Sequence, residues 1–267
     1  MSTPFTVLRQ VARVLDALTE GIITTSADPI YTDSALAGLG YRADDFTDGT
    51  FFGIDVVHRI TAFSGTAFTV TPGGESLADV PYGAMTRRYP LGQMVQKLNE
   101  FLTEIEYPFI TDLAGVSGQL AYTLSSPQIG RTLRQVWIAD GADPLTANWT
   151  PNVRWWIDQY TPRIMFDVEP GAGLTIRLIH AATPAAVTAS SGTIPDSLDV
   201  GWVATETALR LARWRLSQPG DSRGELVEQV NDLAQRAAVL RARMAPIMPA
   251  RHPRLPANLD AALPGGA

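Results

Sequence analysis

The sequence predicts an α+β protein. It has a helical part (N-terminal, middle and two C-terminal helices), two small antiparallel β units of sandwich or half-barrel type, and an extended C-terminal tail. Three observations carry this. Apolar residues recur at helical spacing in four separated stretches, the period drops to two in the short runs between them, and the last stretch is proline-rich with neither period. The segments are 1–20 (N-terminal helix), 21–88 (first β unit), 89–106 (middle helix), 107–190 (second β unit), 195–245 (helical pair) and 246–267 (tail).

Thr6–Leu18 places Leu8, Val11, Ala12, Leu15 and Leu18 on one stripe, and Gly21 is the expected stop after it. From Ile22 to Val80 the chain is rich in Thr, Gly, Phe and Val. Turn signals fall at "ADP", "TDGT", "FSGT" and "TPGG", and "FFGIDVVHRI" and "TAFTVTP" read as strands. Leu91–Ile105 carries Met94, Val95, Leu98, Phe101, Leu102 and Ile105 on one broad stripe, with Pro108 as its stop.

Strands return at "QLAYTL", "RQVWIAD", "VRWWID", "RIMFDV" and "LTIRLIH". In Val153–His180, Ile164, Phe166 and Val168 face one way. Leu174, Ile176 and Leu178 are expected to meet them across a hairpin, with Asp167 and Arg177 outward. Asp199–Leu216, with Trp202 and Trp214, is apolar around its cylinder, which predicts burial on more than one side. Ser222 and Glu225 form a capping-box start to a seam of Leu226, Val230, Leu233, Ala237, Leu240 and Met244. Pro246 ends that helix, and the tail has little to pack with.

Composition excludes several function classes. With 267 residues, 45% apolar and 18% charged, the chain folds as one large domain or a few small ones. Cysteine is absent, which removes disulfides, thiolate metal sites and cysteine nucleophiles. A net charge of −6 argues against a tight grip on nucleic-acid phosphates. No run is long and apolar enough for a membrane span, and "MSTPFTVLRQ" lacks the plan of a signal peptide.

Motifs for chemistry are missing. His58, His180 and His252 have no second ligand at metal spacing, and His180 reads as a strand-end imidazole beside solvent. "AGVSGQ" is no nucleophile elbow, and the only lysine, Lys97, follows no phosphate-cradling loop. In "RADDFTDGTFFG", Phe46 stands where a calcium ligand would be needed, so the stretch reads as a polar turn. Glu104 and Glu106 flank a helix end as a solvated edge. No catalytic residue, cofactor or metal is expected. Trp155 and Trp156 are strand neighbours, so one faces a core and the other faces out, towards cover by protein more readily than a sugar.

The order of segments resembles the head–tail adaptor (connector) proteins of tailed bacteriophages. "LRQVARVLDALTEG" followed by "YTDSALAGLGYRADDFTDGTFFGID" resembles their opening helix and β segment. "RRYPLGQMVQKLNEFLTEI", with Asn99 near its centre, resembles the middle helix, and "WWIDQYTPRIMFDVEPGAGLTIRLIHAATP" the late hairpin. "IPDSLDVGWVATETALRLARWRL" and the proline-rich tail resemble the C-terminal part. The similarity is one of pattern and element order over most of the chain. The β units are larger than in the all-helical adaptors.

The resemblance implies a structural virion protein at the neck, assembled in the host cytoplasm, forming a ring, usually twelve-fold, beneath the portal protein. Such a ring extends the channel for passing double-stranded DNA without sequence-specific binding. It docks a downstream tail or nozzle protein. Ring contacts would use the extra apolar face of Asp199–Leu216 and the tryptophans Trp156, Trp202 and Trp214. Arg251, Arg254, Leu255 and Leu259 of the tail would order against the portal. Three other readings stand beside it. One is a tail-completion or terminator protein. Another is a carbohydrate-binding β protein stacking sugars on Trp137, Trp149, Trp155 and Trp156, and the last is an enzyme with an unrecognised carboxylate site.

Overall fold

A computed structural model describes residues 2–74, 76–124, 133–141, 143, 146–158, 160–219 and 223–246. The described residues form two compact units, one of residues up to Ile105 together with Thr183–Ala245, the other of Glu106–Ala182. The protein is α+β with antiparallel sheets.

The first unit opens with α1 (Pro4–Val14), capped by Thr3 and started by Pro4, whose missing N–H costs nothing there. Val7, Leu8, Val11 and Ala12 are its buried stripe. The helix ends earlier than Leu18, and Gly21 is not its stop. Asp16, at φ 51°, takes the left-handed position. The Ala17 N–H then reaches the Ala12 carbonyl and the Asp16 N–H that of Arg13, which satisfies the orphan carbonyls.

Seven strands follow: β1 (Leu18–Ile22), β2 (Thr25–Ala27), β3 (Ile30–Thr32), β4 (Thr50–Phe52), β5 (Val57–Phe63), β6 (Ala67–Thr71) and β7 (Pro81–Met85). Their order in the sheet is β1-β7-β4-β5-β6-β3-β2. The two edge strands are consecutive in the chain, joined by Ile23 and Thr24. The Ile23 N–H donates to Val80 and the Thr24 N–H to Thr32, so the sheet rolls up and one stretch supplies both edges. Tyr31, Phe46, Phe51, Phe63, Phe68 and Tyr82 fill its interior. Phe51 stacks between Tyr31 and Tyr82 at 5.5 and 5.3 Å. "RADDFTDG" contributes α2 (Ala43–Phe46), a helical turn that seals this core with Phe46.

α3 (Leu91–Glu104) buries Met94, Leu98, Phe101 and Leu102. Its stop is Ile105, already extended, and Pro108 lies within the next strand. After residue 183 the chain returns as α4 (Val200–Ser217), capped by Asp199, and α5 (Arg223–Met244). Packed on α1, α3 and α5, α4 is buried all round from Trp202 to Leu209. On the α5 seam Leu226, Leu233 and Ala237 are buried, while Met244 is exposed. Ser222 and the tail from 247 onward lie outside the described residues.

The second unit holds two sheets around one core. Strands β8 (Tyr107–Ala114), β10 (Leu133–Ala139), β11 (Trp149–Asn152) and β14 (Thr175–Ala182) form the order β11-β10-β14-β8. β9 (Ala121–Thr123), β12 (Trp155–Ile157) and β13 (Arg163–Phe166) form the order β12-β13-β9. Here the expected hairpin fails, because β13 and β14 belong to different sheets. Ile164 and Phe166 do share a core with Ile176 and Leu178, but across the space between the sheets. Period-two alternation fixes which face is buried and leaves the pairing open. Val168, expected inside, is exposed. His180 lies inside β14 and is buried, with Phe109 6.2 Å away, so the solvent-side reading of it is wrong.

Candidate functional site

Three of the residues expected at ring contacts are among the described residues, and their places differ. Trp202 is 3% exposed and packs edge-on against Phe101 at 5.2 Å, so it holds α4 to α3 inside its own unit. The extra apolar face of Asp199–Leu216 is covered in the same way by α1, α3 and α5 from Trp202 to Leu209, while its last turn, with Trp214, is only partly covered. Trp214 and Trp156 are half-buried. Arg251, Arg254, Leu255 and Leu259 lie outside the described residues.

Asn99 has a clear local role. Its Nδ2 donates to the Val187 carbonyl and its Oδ1 accepts the Val187 N–H, both at 2.8 Å, which ties α3 to the segment leading into α4. Between α4 and α5, Glu206 is 2% exposed and receives the Arg241 guanidinium at 3.0 and 2.6 Å. Glu104 grips Arg210 at 2.8 and 2.6 Å, holding its own carboxyl below the usual range, so the helix-end carboxylate is an ion-pair partner. Among the described residues no cluster could hold a metal ion, and no helix is long and apolar enough to cross a membrane.

The surface with the most interface-like chemistry is the outer face of the four-stranded sheet. The register places Pro151, Trp137, Arg177 and Asp112 in one row across β11, β10, β14 and β8. Gln135, Ile179 and Ile110 make the next row. Asp112 holds Arg177 at two points, 2.9 and 2.7 Å, and raises its already high pKa. Arg177 in turn lies 4.0 Å from the centre of the Trp149 ring. Trp137 donates its indole N–H to Gln135 at 3.0 Å. Both indoles are therefore braced before anything binds. Trp155 is different: it is 1% exposed, in the core, and cannot stack on a sugar.

The two edges of this sheet are unequal. Asp140 N–H bonds Asn148 carbonyl, so by alternation Trp149 and Pro151 turn their backbone groups to the open side of β11. Pro151 has no N–H to offer, which blunts that edge. On β8, Gly115 N–H bonds Leu174 carbonyl, so Pro108, Ile110, Asp112 and Ala114 point outward. From 110 to 114 that edge keeps both donors and acceptors, with no partner strand among the described residues. Beside it Phe109 is 45% and Ile110 51% exposed. Val116, Leu120 and Val168 of the same unit are exposed too, as is Tyr160 on a turn held by Asp158.

Sequence reasoning missed β8 as a strand. "YPFITDLA" follows a helix without a turn signal, although Phe109, Thr111 and Leu113 do alternate. Compared with known proteins, the chain matches no family model and no curated protein.

Proposed function

We propose that this chain is a structural virion protein, the head–tail adaptor whose ring sits beneath the portal, prolongs the DNA channel and docks the tail. The observation that carries the reading is the surface of the second unit, where an open strand edge adjoins exposed Phe109 and Ile110 and the braced Trp137–Arg177–Asp112 row. Exposed apolar side chains beside an unprotected edge are liabilities unless another protein covers them. Trp and Arg are the side chains on which protein contacts most often turn.

On this reading the ring, usually of twelve copies, contacts itself, the portal protein and a downstream tail or nozzle protein in the virion neck. It performs no catalysis. An acidic chain of net charge −6 suits a wall past which DNA slides. With the middle of α4 consumed inside its own unit, the neighbouring subunits meet through the second unit, the half-buried Trp156 and the half-buried Trp214 in the last turn of α4, with the 246–267 tail adding contacts to the portal.

A second reading, carbohydrate binding, is favoured by the two braced indoles of Trp137 and Trp149 on one sheet face. A tail-completion or terminator protein differs from the adaptor only in its neighbour. Sedimentation velocity of the protein mixed with the portal ring of its phage separates these. The adaptor reading expects co-sedimentation in a fixed, portal-like multiple. Binding to tail tube alone, or a change in tryptophan fluorescence with soluble oligosaccharides and no portal binding, overturns it.

A further inference from the structure

We infer that the edge of β8, which has no partner strand among the described residues, is a self-recognition site, at which the free protein pairs with a second copy of itself. The two β8 strands run antiparallel about a two-fold axis at Thr111. This goes beyond the adaptor reading and stands without it: a two-fold contact is isologous and cannot be the repeating contact of a ring, so the pairing belongs to the unassembled protein and gives way wherever the second unit enters a ring.

The argument starts from the direction of the backbone groups. Even-numbered residues of β8 turn N–H and C=O away from β14, as the Gly115–Leu174 bond and the β8–β14 register require. A two-fold at Thr111 sets Ile110 opposite Asp112 of the second copy, and both are outward-turned, so each such pair exchanges two N–H···O bonds. It also sets Ala114 opposite Pro108, whose carbonyl accepts the Ala114 N–H and whose missing N–H leaves only one carbonyl open. Pro108 therefore sits where its defect costs least, and it also breaks no bond to β14.

The side chains agree. On the core-side face, Phe109 falls opposite Leu113 of the second copy, so the 45%-exposed ring gains an apolar cover. Asp112 falls opposite Ile110 and stays on its own Arg177, so like charges do not face each other. The other edge is a poor match for β8: β11 has only four residues and Pro151 turns outward in it. A second β8 is the better partner, and the two four-stranded sheets would then run on as one.

The test uses the cysteine-free chain. Thr111 would face its own copy in a non-hydrogen-bonded pair, with Cα atoms about 4.5 Å apart, within reach of a disulfide. Full-length Thr111→Cys should link into dimers under mild oxidation, while Ile110→Cys, offset along the strand, should link little. Sedimentation velocity over a concentration series should show a dimer for the unaltered chain, lost in Ile110→Pro, which removes an outward N–H without touching the β14 ladder. Phe109→Lys should lose the dimer too, and circular dichroism should report an intact fold for both variants. A monomer at all concentrations whose Thr111→Cys variant stays unlinked overturns the proposal. So does a dimer that survives both Ile110→Pro and Phe109→Lys. Portal binding is read in a separate assay, so failure here leaves the adaptor reading untouched.

Discussion

Replacing Asn99 by Ala isolates one tie between distant parts of the chain. Asn99 sits in the middle of α3 and holds both the N–H and the C=O of Val187, each at 2.8 Å. Val187 is buried, so neither group finds ready water when the side chain is cut back. An orphaned buried donor or acceptor costs about 1–3 kcal/mol, and partial hydration of one of the two brings the sum to roughly 2–4 kcal/mol. For a unit of this size that corresponds to a drop of roughly 5–15 °C in Tm. Urea unfolding of the two proteins, followed by far-ultraviolet circular dichroism, measures it. Asn99→Asp keeps the acceptor but turns a carboxylate oxygen on the Val187 carbonyl, so it should be no better than Ala. A loss under about 0.5 kcal/mol for Asn99→Ala would refute the reasoning, since it would mean water replaces both bonds at no cost.

Three further outcomes follow from the same geometry. Gly21→Ala puts a methyl group onto the Asp33 carboxylate and 2.8 Å from the Tyr82 ring. That disturbs the buried Tyr82–Asp33 hydrogen bond, in which burial and the carboxylate push the phenol well above its ordinary pKa. It should cost roughly 2–4 kcal/mol in denaturant unfolding, whereas Gly92→Ala, with open space around it, should not destabilise. Arg241→Leu leaves the Glu206 carboxylate buried without its cation and should cost about 2–4 kcal/mol, less than a fully enclosed pair because Arg241 is 62% exposed. The double change with Glu206→Met should recover most of that loss, and equal losses in the two proteins would contradict the account. Glu20, Glu100 and Glu104 are held below the ordinary glutamate range by hydrogen bonds from Arg13, Lys97 and Arg210. Their folded pKa values lie below the unfolded ones, so the stability they add is present at neutral pH and lost as pH falls through the carboxylate range. Because all three carboxylates are near the surface, thermal melts should show a shallow, salt-weakened decline on acidification.

Helices were the legible part of this sequence, because a single amphipathic stripe announces both an element and its buried face. The stripe on Leu91–Ile105 marks α3 to within a residue, and the all-round apolarity of Asp199–Leu216 marks a helix buried on every side. The same pattern misled about purpose: surplus apolar surface suggests a partner, yet here α1, α3 and α5 are the partners. Strands were legible as runs and not as pairs. Ile164, Phe166, Ile176 and Leu178 point into one core, but alternation cannot say whether two runs share a ladder or face each other. Stops were the weakest signals. Asp16 ends α1 where Gly21 was expected, because a left-handed residue closed by backbone bonds does not have to be glycine. The candidate surface was legible only through Trp137 and Trp149. The brace from Asp112 through Arg177 joins residues 65 positions apart, and no local pattern carries that.

The most direct measurement of the central claim is immunogold electron microscopy of purified virions, using antibody raised against this chain. A head–tail adaptor should give label confined to the junction between capsid and tail, one cluster per particle. Label along the tail tube or at the tail tip, or particles that carry none of the chain, would contradict it.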